Sequence, residues 1–389
     1  MINQPVHEAR ASVEYDGKSF EVLIDEDGAS AIVTSGLAID DHSAGLRYEV
    51  IPFVRNGLTE NLILEVHLKR QDVARIGWLI PANALSSSEH DFAENIHFLR
   101  YAYVAMEQVL LRHVHVYAEA LRERVGPGSV DVPFADLFND DVCFLVICLD
   151  LAERNGPPFD SSTLIPTLVS YGFIPLAECE PGSSNWSCRE IEVGVKSIKI
   201  QPTGAGIKRA DLPARLFSVA ASARGSAVTR FFYFYQVVEL LMEEVLLNSL
   251  HSIGQSVRRA IEMEQHIVLR DELEGLSGRF SEKERLKVLM QSFQGGESAV
   301  AELAEASDEF LQSVGVDARS GIGGLYQVRN YVVHQVRHMP TEAEEILERV
   351  SQELAAFLPK VLSTFSMGER PPSRIEELNE EFYRLRVLE

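Results

Sequence analysis

The pattern of apolar and polar positions changes near residue 90. Before that point, short apolar runs alternate with turn sequences such as Asp16-Gly17 and Asn56-Gly57, a pattern typical of β-hairpins. It predicts strands at residues 13–15, 19–24, 29–34, 46–54 and 61–68. Residues 91–124 contain no Pro or Gly and predict one long helix, with apolar positions at Ile96, Leu99, Val104 and Leu111.

The following segment, residues 130–203, mixes several patterns. It holds an apolar run at 142–149, a Gly-Pro-Pro break at 156–158 and two short strand patterns at 190–195 and 197–201. We therefore predict an α+β N-terminal domain over residues 1–205, strand-rich over 1–90, helical over 91–124 and mixed over 130–203. Residues 202–206, Pro-Thr-Gly-Ala-Gly, are typical of a linker out of it.

From residue 207 to 389 the apolar residues follow helical spacing almost throughout, which predicts an all-α helical-bundle domain. The most apolar helix, 229–250, carries a single polar stripe of Gln236, Glu239 and Glu243. Further helices are predicted at residues 255–273, after the capping box Ser281–Glu284, and at residues 299–314. Another runs from about 321–324 to Met339. The last is capped at Thr341–Glu344 and kinked at Pro359.

Composition narrows the function classes. The net charge of −22 argues against a general nucleic-acid coat, because nonspecific binding depends on Lys and Arg neutralising phosphates. The most apolar segment, Phe231–Leu247, is short for a bilayer and carries three glutamates, so we predict no membrane span. The N-terminus lacks the basic and apolar regions of an export signal, which predicts a cytoplasmic protein.

Patterns for metals and cofactors are missing from the sequence. The cysteines at 143, 148, 179 and 188 match neither zinc nor redox spacings, so buried thiols are the better interpretation. The histidines at 97, 113 and 115 are not spaced as a metal pair. The N-terminal half contains neither a GxxxxGK[ST] nor a GxGxxG loop. We expect no metal and no cofactor.

The segment with the clearest chemistry is Arg329-Asn330-Tyr331-Val332-Val333-His334. It places a permanent cation, an amide and a group that titrates near neutrality within one and a half helical turns. An imidazole can exchange a proton with a ribose 2′-OH or a 5′-oxygen, and a guanidinium can stabilise charge on phosphorus. Together, these residues provide the chemical groups needed to cleave RNA without a metal ion.

Helical geometry sets the arrangement of these groups. On an ideal helix Asn330, His334, Arg337 and His338 share one stripe, and Leu325, Val328, Val332 and Val336 form the opposing core stripe. Arg329 lies about 140° around the axis from His334. Two motif helices packed about a two-fold axis bring Arg329 of one protomer towards His334 of the other. We therefore expect a homodimer through this helix, with Glu239 supporting Arg329 or His334.

The Arg-Asn-x3-His motif, the aromatic helix Phe231-Phe-Tyr-Phe-Tyr-Gln-Val-Val-Glu-Leu-Leu241 and Ser281-Glu-Lys-Glu-Arg-Leu286 together resemble the HEPN superfamily. The likeness covers residues 210–366 and is nearest to the Apea-like branch of prokaryotic defence proteins. It implies a dimeric, metal-independent endoribonuclease, a toxin or abortive-infection effector, with Arg329, Asn330 and His334 as catalytic residues and Glu239, Arg337 and His338 in support. RNA is then the substrate, and the N-terminal domain regulates the nuclease or meets a phage trigger or protein partner.

Two alternatives stay open. Some HEPN members are inactive, so the protein is alternatively a noncatalytic adaptor that binds RNA or protein and assembles through a helical dimer. The plainer interpretation of the motif is that Arg329 pairs with one of the many carboxylates and His334 is a surface residue on a bundle helix. The sequence does not name the RNA, the trigger or the partner.

Overall fold

The structure is a computed structural model of the 389-residue chain. It describes residues 9–15, 18–24, 29–33, 45–69, 72–85, 89–112, 129–131, 137–154, 156, 158–178, 186, 191, 195–204, 207, 209, 211–223, 225–263, 281–292, 297–318 and 323–365. The chain divides into two compact units. One comprises residues 1–202 with 217–226, and the other comprises residues 203–216 with 227–389.

The first unit contains two β-sheets. Its strands are β1 (Ala9–Tyr15), β2 (Lys18–Ile24), β3 (Ala29–Val33), β4 (Tyr48–Val54), β5 (Leu64–Lys69), β6 (Val73–Pro81), β7 (Ser129–Asp131), β8 (Val142–Cys148), β9 (Ile174–Pro175) and β10 (Ser197–Ile200). Strands β1, β2 and β3 pair antiparallel, with β7 parallel to β1. This arrangement confirms the meander that the turn sequences predicted.

The second sheet has six strands in the order β10-β5-β6-β8-β4-β9. Strands β4, β5 and β10 confirm the predictions for 46–54, 61–68 and 197–201 within two or three residues. Strands β6 and β8 were not predicted, and they occupy the centre of the sheet. The predicted strand at 190–195 falls mostly outside the described residues, and Ile191 and Val195 are not in a strand.

Both faces of this sheet are covered by apolar side chains. Along β8 all seven residues are buried, with Phe144, Val146 and Cys148 in one core and Cys143 and Leu145 in the other. A strand buried on both faces shows no apolar and polar alternation. Cys143 and Cys148 are free buried thiols, as predicted, whereas Cys179 and Cys188 lie outside the described residues.

Two sets of helices cover these faces. Helix α1 (Ile96–Arg112) supplies Phe98, Tyr101 and Ala105 to the core that contains Phe144. Short helices α2 (Leu149–Glu153) and α3 (Ile165–Ser170) supply Ala152 and Leu168 to the other core.

Helix α1 differs from its prediction in extent. It begins at Ile96 rather than residue 91, because residues 91–94 form a turn and the Asn95 side chain accepts hydrogen bonds from the backbone N–H groups of His97 and Phe98, as an N-cap does. The predicted continuation over 113–124 lies outside the described residues, as does the Leu111 side chain.

Every described element from residue 211 onward is helical, which confirms the predicted change from an α+β part to a mostly helical part. The helices are α4 (Asp211–Ser222), α5 (Ala227–Glu262), α6 (Glu282–Ser292), α7 (Glu297–Ser313), α8 (Gly323–Gln335) and α9 (Thr341–Thr364). Within the described residues no helix combines the length and the apolar character needed to cross a membrane.

Helix α5 is the long apolar helix of this part. Its 36 residues join the predicted helix 229–250 to the first part of the predicted helix 255–273, whose remainder is not described. Phe231, Phe234 and Val238 are buried. The predicted polar stripe of α5 is exposed at Gln236, Glu239 and Glu243. Its side chains can therefore contact a neighbouring helix or a ligand.

Helix α9 packs on both α5 and α7, α8 packs on α7, and α6 packs on α5. Arg230, 4% exposed, forms an ion pair with Glu348 between α5 and α9 at 2.5 Å. The predicted capping box at Thr341 is wrong: Pro340 occupies the cap position and Thr341 is already helical. Proline fits there because its fixed φ suits a helix entry and its missing N–H is not needed. Helix α9 continues through Pro359 to Thr364.

The predicted linker begins with a close contact. The Gly204 N–H donates to the Leu362 carbonyl at 2.8 Å, and a Cβ there would lie 3.0 Å from the Leu362 and Phe365 carbonyl oxygens. The backbone at Gly204 is thus hydrogen-bonded to the last turn of α9, in a space too small for a larger residue.

Candidate functional site

The motif segment forms the regular helix α8, Gly323–Gln335. It packs on α7 through Leu325, Val328, Tyr331 and Val332, all buried, and the Tyr331 ring meets Phe310 edge-on at 5.7 Å. Val336 was predicted in this core stripe and is only partly buried, because it lies beyond the end of the α-helix. Tyr331 takes the core position instead.

The α-helix ends before two of the predicted supporting residues. Residues Val336–His338 form a single 3₁₀ turn after Gln335, whose φ of −128° departs from helical values. The ideal-helix stripe therefore holds for Asn330 and His334 but not for Arg337 and His338, and that part of the prediction is wrong. A helix of this length stops here because Pro340 excludes the helical conformation just before it. Arg337 and His338 are exposed.

Arg329 is enclosed by two carboxylates. Its Nη2 lies 3.4 Å from Glu239 Oε1 on α5, and its Nε lies 3.7 Å from Glu282 Oε1 at the start of α6. Its Nη1 donates to Asn330 Oδ1 at 3.2 Å. The Arg329 side chain is 25% exposed, so solvent still reaches it. The structure thus brings Glu239 to Arg329 and not to His334, and links helices α5, α6 and α8 at one point.

Tyr235 lies beneath this ion-pair network. Its ring is 6.0 Å from the Arg329 guanidinium carbon, and its hydroxyl donates to Glu282 Oε1 at 3.3 Å. Burial, together with the neighbouring Glu282, raises the pKa of Tyr235 well above that of a solvated tyrosine, so the phenol keeps its proton. It therefore acts as a hydrogen-bond donor that orients Glu282 towards Arg329.

His334 lies on a different side of α8. It is exposed, as are its neighbours Val333 and Gln335. Arg329 and His334 both lie in regular α-helix, five residues apart, so their Cβ directions differ by about 140°. Asn330 precedes His334 by one turn and lies on its side of the helix. Within one chain, the structure brings Arg329 and Asn330 together and leaves His334 apart from Arg329.

Sequence reasoning missed Tyr235 and Glu282 as members of this cluster. Tyr235 carried a usable signal, because it precedes Glu239 by four residues and so shares its helix face. Glu282 carried none, since it is one of many glutamates, and only packing of α6 on α5 brings it to Arg329. One cation and two carboxylates give this cluster an excess of negative charge. A phosphate therefore reaches Arg329 only by displacing a carboxylate.

In the described part of the chain, no group of three or more His, Cys, Asp or Glu side chains is placed so that it could bind a metal ion. Comparison with known proteins adds no relative: no protein-family model, no curated protein and no solved structure matches this chain.

Proposed function

We propose that the protein is a metal-independent endoribonuclease of the HEPN type, which cleaves RNA by attack of the ribose 2′-OH on the neighbouring phosphate. The proposal rests on the placement of Arg329, Asn330 and His334 along helix α8. This helix exposes His334 with Asn330 one turn away, while Glu239 and Glu282 hold Arg329 on another side of the same helix. Acid-base and charge-stabilising groups are thus mounted on one rigid element.

The reaction needs only groups that this chain provides. The neutral imidazole of His334 accepts the proton of the 2′-OH, the 2′-oxygen bonds to phosphorus, and the bond from phosphorus to the 5′-oxygen breaks. The leaving 5′-oxygen takes up the proton that the imidazole now holds. Arg329 stabilises the additional negative charge on the phosphorane, and Asn330 orients the imidazole or a phosphate oxygen. The products are a 2′,3′-cyclic phosphate and a 5′-OH.

Two protomers complete each site in this proposal. The angle of about 140° between Arg329 and His334 prevents both from facing one phosphate easily within one chain. When the α8 helix of a second protomer packs on α8 about a two-fold axis, Arg329 of each protomer lies near His334 of the other, so the dimer has two equivalent sites. Val333, an apolar side chain 40% exposed beside His334, provides apolar surface for that contact. Arg337 in the following turn then adds a cationic group near the axis, and His338 adds a further polar side chain there.

The ion pairs of Arg329 are compatible with this role. Glu239 is 44% exposed and its pair with Arg329 spans 3.4 Å, and pairs of this kind contribute only about 0–1 kcal/mol. A phosphate oxygen, which accepts a charge-assisted hydrogen bond, replaces Glu239 at small cost. Glu282 remains behind to fix the guanidinium plane.

The wider role we propose is antiphage defence or toxicity by RNA cleavage, in the cytoplasm, with an N-terminal part that senses a phage trigger or a protein partner. A net charge of −22 supports such restraint, since a strongly acidic chain attracts RNA weakly outside a local basic site.

Incubation of the purified full chain with total cellular RNA in EDTA tests the activity. The expected result is cleavage with 2′,3′-cyclic phosphate and 5′-OH ends, lowered by about 10²–10⁴-fold in His334→Ala. A matched control is His251→Ala, which removes a partly exposed histidine of α5 that bonds Gln255 and should cleave like wild type. Activity that appears only after Mg²⁺ or Mn²⁺ is added would reject the mechanism.

The second candidate is a noncatalytic adaptor that binds RNA or protein through a helical dimer. Its favouring observation is the occupation of Arg329 by Glu239 and Glu282, as in an ordinary structural ion pair. An adaptor would dimerise and bind RNA in a gel-shift assay but leave the RNA intact under every condition above. His334→Ala would then change neither property.

A further inference from the structure

A polar cleft lies in the first unit, independent of the residues used by the proposed nuclease. Its volume is about 390 Å³, within the range of roughly 300–1,000 Å³ in which proteins bind small molecules. Helix α1 forms one wall through His97, Arg100 and Tyr101, which share a helix face because they are three and four residues apart. Strands β4, β5 and β6 provide the opposite wall.

The lining of this cleft is cationic in an acidic protein. Its charged side chains are Arg75, Arg100 and Glu65, accompanied by His67 and His97. Two guanidinium groups therefore face one carboxylate. In a chain with a net charge of −22, such a concentration of cationic groups in one concavity favours an anionic ligand.

Glu65 organises the cations rather than opposing them. One of its oxygens accepts a hydrogen bond from Arg75 Nη1 at 2.6 Å, and the other lies 2.9 Å from His67 Nε2. Burial alone would raise the pKa of Glu65, but the bonds from His67 and Arg75 outweigh it and lower the pKa. Arg75 also lies over the Trp78 ring at 5.1 Å. These contacts fix the Arg75 guanidinium plane, which reduces the entropy lost on binding.

The other guanidinium belongs to Arg100, which lies near an aromatic pair. The charge of Arg100 acts on the Tyr48 hydroxyl, and the rings of Tyr48 and Tyr101 meet edge-on at 5.5 Å. Tyr101 is 7% exposed, and burial raises the pKa of its hydroxyl well above the usual value, so it stays neutral. The cleft therefore combines cationic side chains with an aromatic surface that can contact a planar group.

We propose that this cleft binds a phosphorylated small molecule of mononucleotide size. Arg75 and Arg100 bind the phosphate, for which guanidinium groups offer paired donors. His97 donates to one of its remaining oxygens, His67 holds Glu65 and thereby Arg75 in place, and Tyr48 contacts the base or another planar group. The proposal does not depend on RNA cleavage, because each residue that it uses lies in the first unit and its test measures binding.

Isothermal titration calorimetry of the full chain at low salt tests the proposal. The probes are AMP, GMP, CMP and UMP, with ribose 5-phosphate and inorganic phosphate to separate phosphate recognition from contacts with the base. At least one nucleotide should bind saturably with one site per chain and more tightly than inorganic phosphate. Added NaCl should weaken that binding by screening the charges.

Two variants assign the binding to the cleft. Arg100→Gln should weaken nucleotide binding at least about tenfold, because it removes a charge-assisted contact, and His97→Gln should weaken it less, since His97 is exposed. Arg154→Gln is the matched control: it removes an exposed arginine of the first unit outside the cleft lining and should bind as wild type does. Circular dichroism verifies that each variant folds.

Three results would overturn the proposal. One is the lack of saturable binding by any phosphorylated probe at millimolar concentration. Another is binding that Arg100→Gln and His97→Gln both leave unchanged, which would place the ligand elsewhere. The third is binding of citrate, a carboxylate probe, in place of every phosphorylated probe, which would show a site for a different anion.

Discussion

The shared-site model makes a prediction about mixed dimers. Arg329→Ala and His334→Ala should each abolish cleavage as pure proteins, because every composite site then lacks one required group. In a heterodimer of the two variants, one site loses both groups and the other keeps both. Mixing two inactive proteins should therefore restore activity, a result that a site built within one chain cannot give.

The magnitude follows from the geometry of α8. Arg329 and His334 lie about 140° apart on one helix, so in the shared-site model each site takes one group from each protomer. Random exchange of equal amounts makes half of all dimers heterodimers, and each has one intact site of two. The mixture should recover about one quarter of the wild-type rate.

Folding of the variants should not obscure the result. Arg329 is 25% exposed and Glu239 is 44% exposed, so their partly solvated pair contributes about 1 kcal/mol or less. His334 is exposed, and its removal leaves no cavity. Far-ultraviolet circular dichroism should show wild-type helix content for both variants.

The assay measures initial rates on a fluorescent RNA in EDTA. Subunit exchange is first demonstrated with two differently labelled proteins. The matched control mixes Arg329→Ala with the double variant Arg329→Ala/His334→Ala, a pair that cannot form an intact site and should stay inactive. The reasoning fails if the complementary mixture, after demonstrated exchange, remains as inactive as its parents.

Three further predictions concern stability and the division of labour. Glu348→Ala removes the carboxylate that pairs with the buried Arg230 and should lower the free energy of unfolding by about 3–5 kcal/mol, measured by urea denaturation followed at 222 nm; a loss below 1 kcal/mol would contradict this. Gly77→Ala places a Cβ 2.0 Å from the Val146 carbonyl oxygen of β8. It should lower the free energy of unfolding by about 2–3 kcal/mol or more, measured from the unfolding transition in tryptophan fluorescence. The control Gly254→Ala, with open space around it, should stabilise α5 by about 0.5–1 kcal/mol. Residues 207–389 alone should fold, dimerise and cleave RNA at least as fast as the full chain; a folded, dimeric but inactive fragment would show that the N-terminal part contributes binding or catalytic groups.

Local patterns were enough to predict the outer strands and most helices. The meander β1–β3, strands β4 and β5 and helices α5 to α9 follow from turn residues and from the spacing of apolar positions, which act between near neighbours in sequence. Helix ends were predicted less well. At Thr341 the capping-box pattern suggested a side-chain cap, whereas Pro340 occupies the cap position.

The centre of the sheet could not be predicted in this way. Strand β8 is apolar at all seven positions, and a short apolar run fits a buried strand or a buried helix equally well. Strand β6 contains Gly77 and ends at Pro81, residues that usually mark turns. Only the neighbouring strands, which pair with their backbones on both sides, decide that these segments are strands.

For the candidate site, the sequence by itself determined the chemical groups and their spacing on one helix. Arg329, Asn330 and His334 are fixed in relative direction by helical geometry alone. The tertiary structure decided their surroundings: packing of α8 on α7 and of α6 on α5 leaves Glu239 and Glu282 beside Arg329, and the turn at Val336–His338 removes Arg337 and His338 from the helical stripe. Charges meet across helices only after apolar faces have packed, and no pattern along a single helix records which carboxylate its neighbour will present.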